Sequence, residues 1–143
     1  MHVLGIGHVG ITVRNLEKSV EFYTRVFHFK VIDAPCDMIK DQEESAGCGV
    51  PGCFHRYCLL QAPGGQQVEF MEYDKVPSPV DHALPLNQIG QHHISLLVDN
   101  VASSVEELEK LGIEMVYHPL AAGNEHWVLF RDPDGIIVEM MGR

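Results

Sequence analysis

HVGITVRNLEKSVEFY, residues 8–23, and HISLLVDNVASSVEEL, residues 93–108, are two copies of one pattern. At an offset of 85 residues they share His8/His93, Val13/Val98, Asn15/Asn100, Ser19/Ser104, Val20/Val105 and Glu21/Glu106. Further apolar positions match as Val9/Ile94, Ile11/Leu96, Leu16/Val101 and Tyr23/Leu108. A second pair of segments aligns at an offset of 70: PGGQQVEF from Pro63 lies over PDGIIVEM from Pro133, so that Gly65 meets Gly135 and Glu69 meets Glu139. A repeat of this length signals two copies of one supersecondary unit. The fall in offset places about 15 extra residues in the first copy, between its helix and its last hairpin.

Each copy reads as β-α-β-β-β. From Gly5 to Val13 apolar residues alternate with small or polar ones, the period of a strand. Asn15 follows as a helix N-cap, its side chain able to satisfy an unpaired backbone N–H. Leu16, Val20, Tyr23 and Phe27 then recur at the spacing of one helix face. In the second copy Asn100, Val101, Val105 and Leu108 repeat this, with Gly112 as the helix stop. Ile113–Tyr117 reads as a strand. Trp127–Arg131 and Ile136–Met141 flank the turn Asp132-Pro133-Asp134-Gly135, as Tyr57–Gln61 and Gln66–Tyr73 flank Pro63-Gly64-Gly65. The expected fold is α+β, with a first βαβββ module over 1–73, a linker rich in proline over 74–89, and a second module over 90–143. An insertion at about 33–54 reads as a long loop with room for a short helix. One such module is too small to bury both its helix and its sheet faces well, so the two are expected to pack together.

The chain has 143 residues, 45% of them hydrophobic, and a formal net charge of −10. That charge argues against nucleic acid and against anionic membrane surfaces as partners. No basic segment leads into an apolar run and cleavage site at the N-terminus, and no stretch has the length of a membrane span. The expected location is therefore cytoplasmic, with Cys36, Cys48, Cys53 and Cys58 as free thiols. The even spacing of the last three differs from the tight C-x2-C pairs of a zinc ribbon.

The chemistry-bearing residues sit at equivalent places in the repeat. Each copy opens with a His among strand residues and closes with a Glu among them. Val68 and Phe70 share one face of their strand and Glu69 takes the other. A lone strand His is ordinarily a hydrogen-bonded structural residue, and a lone strand Glu ordinarily faces water. The duplication of both is what singles out His8, Glu69, His93 and Glu139. A carboxylate flanked by apolar residues is costly to bury unless a cation or strong hydrogen-bond donors compensate it. One divalent ion, of Zn, Ni, Co, Mn or Fe, matches these nitrogen and oxygen donors.

The βαβββ repeat, the opening His-Val-Gly-Ile and His-Ile-Ser-Leu, and the ending Asp132-Pro133-Asp134-Gly135-Ile136-Ile137-Val138-Glu139 resemble the vicinal oxygen chelate superfamily. Glyoxalase I, methylmalonyl-CoA epimerase, extradiol dioxygenases, fosfomycin-resistance enzymes and bleomycin-resistance proteins belong to it. The resemblance runs from about Gly5 to Met141. It implies that the two modules form a half-open barrel around a metal held by His8, Glu69, His93 and Glu139. It also implies a small-molecule substrate and a homodimer. Glutamate at position 69 is similar to the four-ligand glyoxalase and epimerase branch. That branch implies a lyase or isomerase acting on a small oxygenated carbonyl compound, with Glu139 or Glu69 as the catalytic base. Two alternatives stay open: an extradiol-type dioxygenase using Fe(II) on two His and one Glu, and a drug-binding resistance protein without catalysis. The Tyr73-Asp74-Lys75 stretch departs from the glutathione segment of glyoxalase I, and the cysteine-bearing insertion departs from both glyoxalase I and the epimerase.

Other residues carry weaker signals. Glu125 and His126 read as surface residues at a loop end, and His92 as a structural neighbour of His93. His55, Arg56 and Tyr57, at the end of the insertion, are candidates for substrate contact. Met71, Met140 and Met141 read as core or subunit-contact residues, and Cys48 and Cys53 have no assigned role.

Overall fold

The computed structural model describes residues 1–75, 85–117 and 127–142. The chain divides into two compact units, Met1–Pro79 and Val80–Arg143. The centre of the expected linker, 76–84, lies outside the described residues, as do Glu125 and His126.

The first unit runs β1 (Val9–Thr12), α1 (Leu16–Phe27), β2 (Lys30–Asp33), α2 (Gln42–Gly47), β3 (His55–Gln61) and β4 (Gln67–Tyr73). The second runs β5 (Ile94–Val98), α3 (Val101–Lys110), β6 (Met115–Tyr117), β7 (Trp127–Arg131) and β8 (Ile137–Gly142). Their sheets have equivalent orders, β1-β4-β3-β2 and β5-β8-β7-β6. In each, the first strand pairs in parallel with the last, and the other pairings are antiparallel. The α+β fold of two tandem βαβββ modules is thus present, with each sheet open and not closed on itself.

Local chemistry explains why both halves fold alike. Asn15 Oδ1 accepts from the Lys18 N–H at 2.8 Å, and Asn100 Oδ1 accepts from the Ser103 N–H at 2.9 Å. Each side chain satisfies a donor that the first helical turn leaves unpaired. The hairpins also close alike. Gly65 N–H donates to the Ala62 carbonyl and Gly135 N–H to the Asp132 carbonyl, with both glycines at positive φ, where a side chain would be strained. The second turn is reinforced by the Asp132 carboxylate, which accepts from the Asp134 and Ile136 N–H groups at 2.9 Å.

One face of each sheet is covered by its own helix. Cys58, Leu60, Val68 and Phe70 are buried together with Ile11, Val13 and the α1 residues Leu16, Ser19 and Tyr23. The Tyr23 and Phe70 rings lie 4.8 Å apart, and Phe29 adds a third ring at 5.5 Å from Tyr23. In the second unit Val128, Phe130, Val138 and Met140 are buried along with Val101, Val105 and Leu108 of α3.

Three details differ from the sequence reading. The first strand begins at Val9, not near Gly5, and Leu4 and Ile6 are exposed. Among the described residues its sheet partner is β4, which begins at Gln67 just after the Gly65 turn, so the ladder stops there. The buried stripe of α1 includes Ser19, whose hydroxyl is absorbed by the Asn15 carbonyl at 3.3 Å. Its end is marked by His28 at a φ of 57°, a left-handed position taken without glycine.

Arg56, a candidate for substrate contact, instead fastens α1 to the sheet. Its guanidinium donates to both Glu17 oxygens, at 2.6 and 2.8 Å, and to Glu72 Oε2 at 2.8 Å. The same Glu72 oxygen accepts from the Leu16 N–H at 2.7 Å, satisfying the first turn of α1. Arg56 holds the Glu17 carboxyl below the usual carboxylate range through its hydrogen bonds.

Truncating the ring at the centre of the first core tests this packing. Phe70→Ala removes a fully buried side chain, so the unfolding free energy should fall by about 3–5 kcal/mol. The effect reads as a lower urea midpoint at unchanged slope. An unaltered midpoint would show that the aromatic cluster does not hold the module.

Candidate functional site

The sheet face away from each helix carries the candidate donors. Residues 55, 57, 59 and 61 of β3 and 67, 69, 71 and 73 of β4 share that face, because alternate strand residues point the same way. Glu69 pairs with Gly10 on β1 and with Leu59 on β3. Glu139 pairs with Ser95 on β5 and with Leu129 on β7. These are the same positions of the repeat, so the parallel register places both carboxylates alike.

His8 and His93 each occupy the residue immediately before the first strand of their unit. They stand two residues ahead of Gly10 and Ser95, and so on the carboxylate side. His8 Nε2 lies 3.5 Å from Glu69 Oε2, and His93 Nε2 lies 3.6 Å from Glu139 Oε2. The imidazoles are 48% and 43% exposed and the carboxylates 22% and 19%, so each pair has a solvent-facing partner above a more sheltered one. The structure brings His8 to Glu69 and His93 to Glu139. Within either unit, the described residues hold no group of three or more His, Cys, Asp or Glu fit to grasp a metal; the donors come in twos.

The donor chemistry fits a divalent ion. Imidazole nitrogen and carboxylate oxygen bind such ions at about 2.0–2.2 Å. Two donors at adjacent corners around one ion are then about 3 Å apart. Separations of 3.5 and 3.6 Å need only a small adjustment of exposed side chains. Gly10 leaves room for this, since a Cβ there would stand 3.0 Å from Met71 Cε and 3.8 Å from Glu69 Oε2.

The likeness of the two faces extends past the donors. Tyr57 pairs with Met71 next to Glu69, and Trp127 pairs with Met141 next to Glu139. Tyr57 and His55 are on the carboxylate face, whereas Arg56 belongs to the other. Met140 is core, while Met71 and Met141 line the open face. His92 precedes β5, its Nδ1 3.4 Å from the Gly90 carbonyl.

Comparison with known proteins bears on this arrangement. The profile of the Glyoxalase/Bleomycin resistance protein/Dioxygenase superfamily matches residues 5–140. The chain belongs to this superfamily. A curated relative from Arabidopsis thaliana, Glyoxylase I 4, is 26% identical over 142 residues, covering 98% of this chain and 71% of the relative. A glyoxalase family protein from Bacillus cereus has the same fold, with a TM-score of 0.77 at 18% identity over 99% of this chain and 95% of that one. The fosfomycin resistance protein FosX from Listeria monocytogenes, solved with Mn(II) and a sulfate ion, gives a TM-score of 0.61 at 19% identity over 99% and 94%. Members of the superfamily are mostly metal-dependent enzymes. No helix of the described residues is long and apolar enough to cross a membrane.

The cysteines separate by burial in a way that sequence did not reveal. All four are free. Cys58 is fully buried on the helix side, and burial pushes its thiol up to about 11. Cys53 donates from Sγ to the Lys75 carbonyl at 2.9 Å, and Cys48 is exposed. A thiol raised this far stays protonated and unreactive near neutrality. Ellman's reagent at pH 8 should therefore modify Cys48 first and Cys58 only after denaturant is added. Rapid labelling of Cys58 in the folded protein, located by peptide mass, would contradict this packing.

Proposed function

We propose that this chain is a divalent-metal-dependent lyase or isomerase, akin to glyoxalases and epimerases, acting on a small oxygenated carbonyl compound. The supporting observation is the pairing of His8 with Glu69 and of His93 with Glu139 at equivalent registers of two modules. Glu69 stands by its imidazole as Glu139 does by its own, which favours four protein donors over the three-donor arrangement of extradiol dioxygenases.

In this reading His8, Glu69, His93 and Glu139 hold one ion, of Zn, Ni, Co, Mn or Fe. The donors come from both modules of a chain or from two copies in a homodimer. When bound, the ion supplies Lewis acidity towards a substrate carbonyl or hydroxyl oxygen. The chain's own residues do the rest. Glu139 or Glu69 accepts the proton α to the carbonyl on a carboxylate oxygen, and the electron pair left on carbon spreads onto the adjacent oxygen. The same carboxyl group then returns the proton to carbon, at the original or the neighbouring position. His8 and His93 orient their carboxylates and keep the head of the substrate near them. Met71 with Tyr57, and Met141 with Trp127, give the rest of the substrate an apolar and aromatic surface.

Elemental analysis of the purified protein should find one divalent ion per four-donor set. His8→Ala and His93→Ala should each weaken its retention at least tenfold. Small α-hydroxycarbonyls and hemithioacetals incubated in D2O should gain deuterium at the α carbon. Chelation should abolish this exchange, and re-added metal should restore it. Removing the base, by Glu139→Gln or Glu69→Gln, should lower turnover by about 10²–10⁴ in one of the two. Full turnover in both variants at normal metal content, or oxygen uptake with a catechol in place of exchange, would overturn the reading.

A further inference from the structure

The carboxylate face of the first module continues past Glu69 into a second polar cluster built partly by the insertion. The ladder along β3 and β4 steps from Leu59/Glu69 to Tyr57/Met71 to His55/Tyr73. Four residues along a strand separate Glu69 from Tyr73, a distance of about 13 Å. At that far end the His55 and Tyr73 rings lie 5.5 Å apart. Glu44, on α2, brings its Oε1 to 3.8 Å from His55 Nε2. α2 is held in place by Asp41, whose carboxylate accepts from the Glu43 and Glu44 N–H groups at 2.8 and 3.0 Å. The end of the insertion is clasped to the chain after β4. The Phe54 N–H donates to Asp74 Oδ1 at 2.8 Å, the Asp74 N–H donates to the Phe54 carbonyl at 2.9 Å, and Lys75 Nζ donates to the Gly52 carbonyl.

This cluster has a definite electrostatic character. Burial is the main cause that raises the Tyr73 phenol, and the Glu69 and Glu44 carboxylates add to it. The phenol therefore stays neutral. Two cations of the described residues are engaged elsewhere: Lys75 with the Gly52 carbonyl, and Arg56 with Glu17 and Glu72 on the opposite face. An anionic group arriving here would face the Glu44 carboxylate beside His55. A group that donates hydrogen bonds would find the Glu44 carboxylate, the Tyr73 oxygen and two ring faces. The middle of the track, Met71 and Tyr57, is apolar and aromatic.

We propose that His55, Tyr73 and Glu44 form a specificity-determining subsite that grips a hydrogen-bond-donating, non-anionic tail of the substrate, an amine or hydroxyl, about 13 Å along the sheet from Glu69. Glu44, Tyr73 and His55 contact the tail, with the Glu44 carboxylate standing beside the His55 ring. This deepens the proposed function, because that reading places the head of the substrate at Glu69. The preferred substrate is consequently elongated, with an oxygenated carbonyl at one end, an apolar or aromatic middle and a donor group at the other.

The subsite is testable without metal or turnover. Full-length, metal-free protein labelled at His and Tyr rings is titrated by NMR with n-hexylamine, 1-hexanol and hexanoate. The amine and the alcohol should shift the His55 and Tyr73 signals saturably, with hexanoate at least tenfold weaker. In Glu44→Gln and His55→Leu, read at Tyr73, that discrimination should fall below threefold. Hexanoate binding as well as the amine, or discrimination unchanged in both variants, would overturn the inference. A second titration separates it from the proposed function. Acetohydroxamate, a chelating head without a tail, should bind the metal-loaded parent, Glu44→Gln and His55→Leu proteins alike. An ω-amino alkyl hydroxamate of sufficient length should gain at least tenfold over its ω-carboxy counterpart in the parent only. Acetohydroxamate that fails to bind while hexylamine still binds counts against the metal reading and leaves the subsite standing.

Discussion

Parallel pairing of the first and last strands of each module is the constraint on which the rest depends. It fixes Gly10 opposite Glu69 and Ser95 opposite Glu139, and it sends the intervening residues to the helix-covered face. A slip of one residue would turn each carboxylate into the aromatic or aliphatic core beneath α1 or α3, where an unpaired charge is costly. The burial of Val68 and Phe70 on either side of Glu69 along the strand, and of Val138 and Met140 on either side of Glu139, locks the register. Core packing and donor placement are thus one decision made by one ladder.

Much of this was legible because the repeat compares the chain with itself. Asn15 and Asn100 announced the helix starts, Gly65 and Gly135 the hairpin turns, and the paired His and Glu the candidate donors. The period of two correctly set Glu69 against Val68 and Phe70. What stayed hidden depends on partners distant in sequence. Arg56 reads as a candidate for substrate contact at the end of the insertion, yet its ion pairs are with Glu17 and Glu72, on a helix and on another strand. The four cysteines look equivalent along the chain, and only folding sorts Cys58 into the core and Cys48 into solvent. Alternation also continued past the true start of β1, because a pattern cannot register that the neighbouring strand has run out.

The two modules share a plan and differ in elaboration. Both carry the His–Glu pair and the aromatic–methionine step beside it. The first adds the insertion with α2, which brings Glu44 to His55 and ties Phe54 to Asp74. It also adds the Arg56 fastening of α1, at a position whose repeat counterpart lies outside the described residues. Such additions at the ends of strands leave the ladder untouched, which is why a duplicated scaffold tolerates them.

The hairpin turn that stops each parallel ladder also decides what kind of residue its histidine is. Glu69 and Glu139 are gripped by strands on both sides, whereas His8 and His93 sit one step before their own strands begin. Each imidazole hangs from backbone that the sheet does not clamp. In the proposed metal-binding reading, the carboxylates would act as a rigid jaw and the histidines as an adjustable one, so guests of slightly different radius would be accommodated by swinging the imidazoles without breaking a single rung of the sheet.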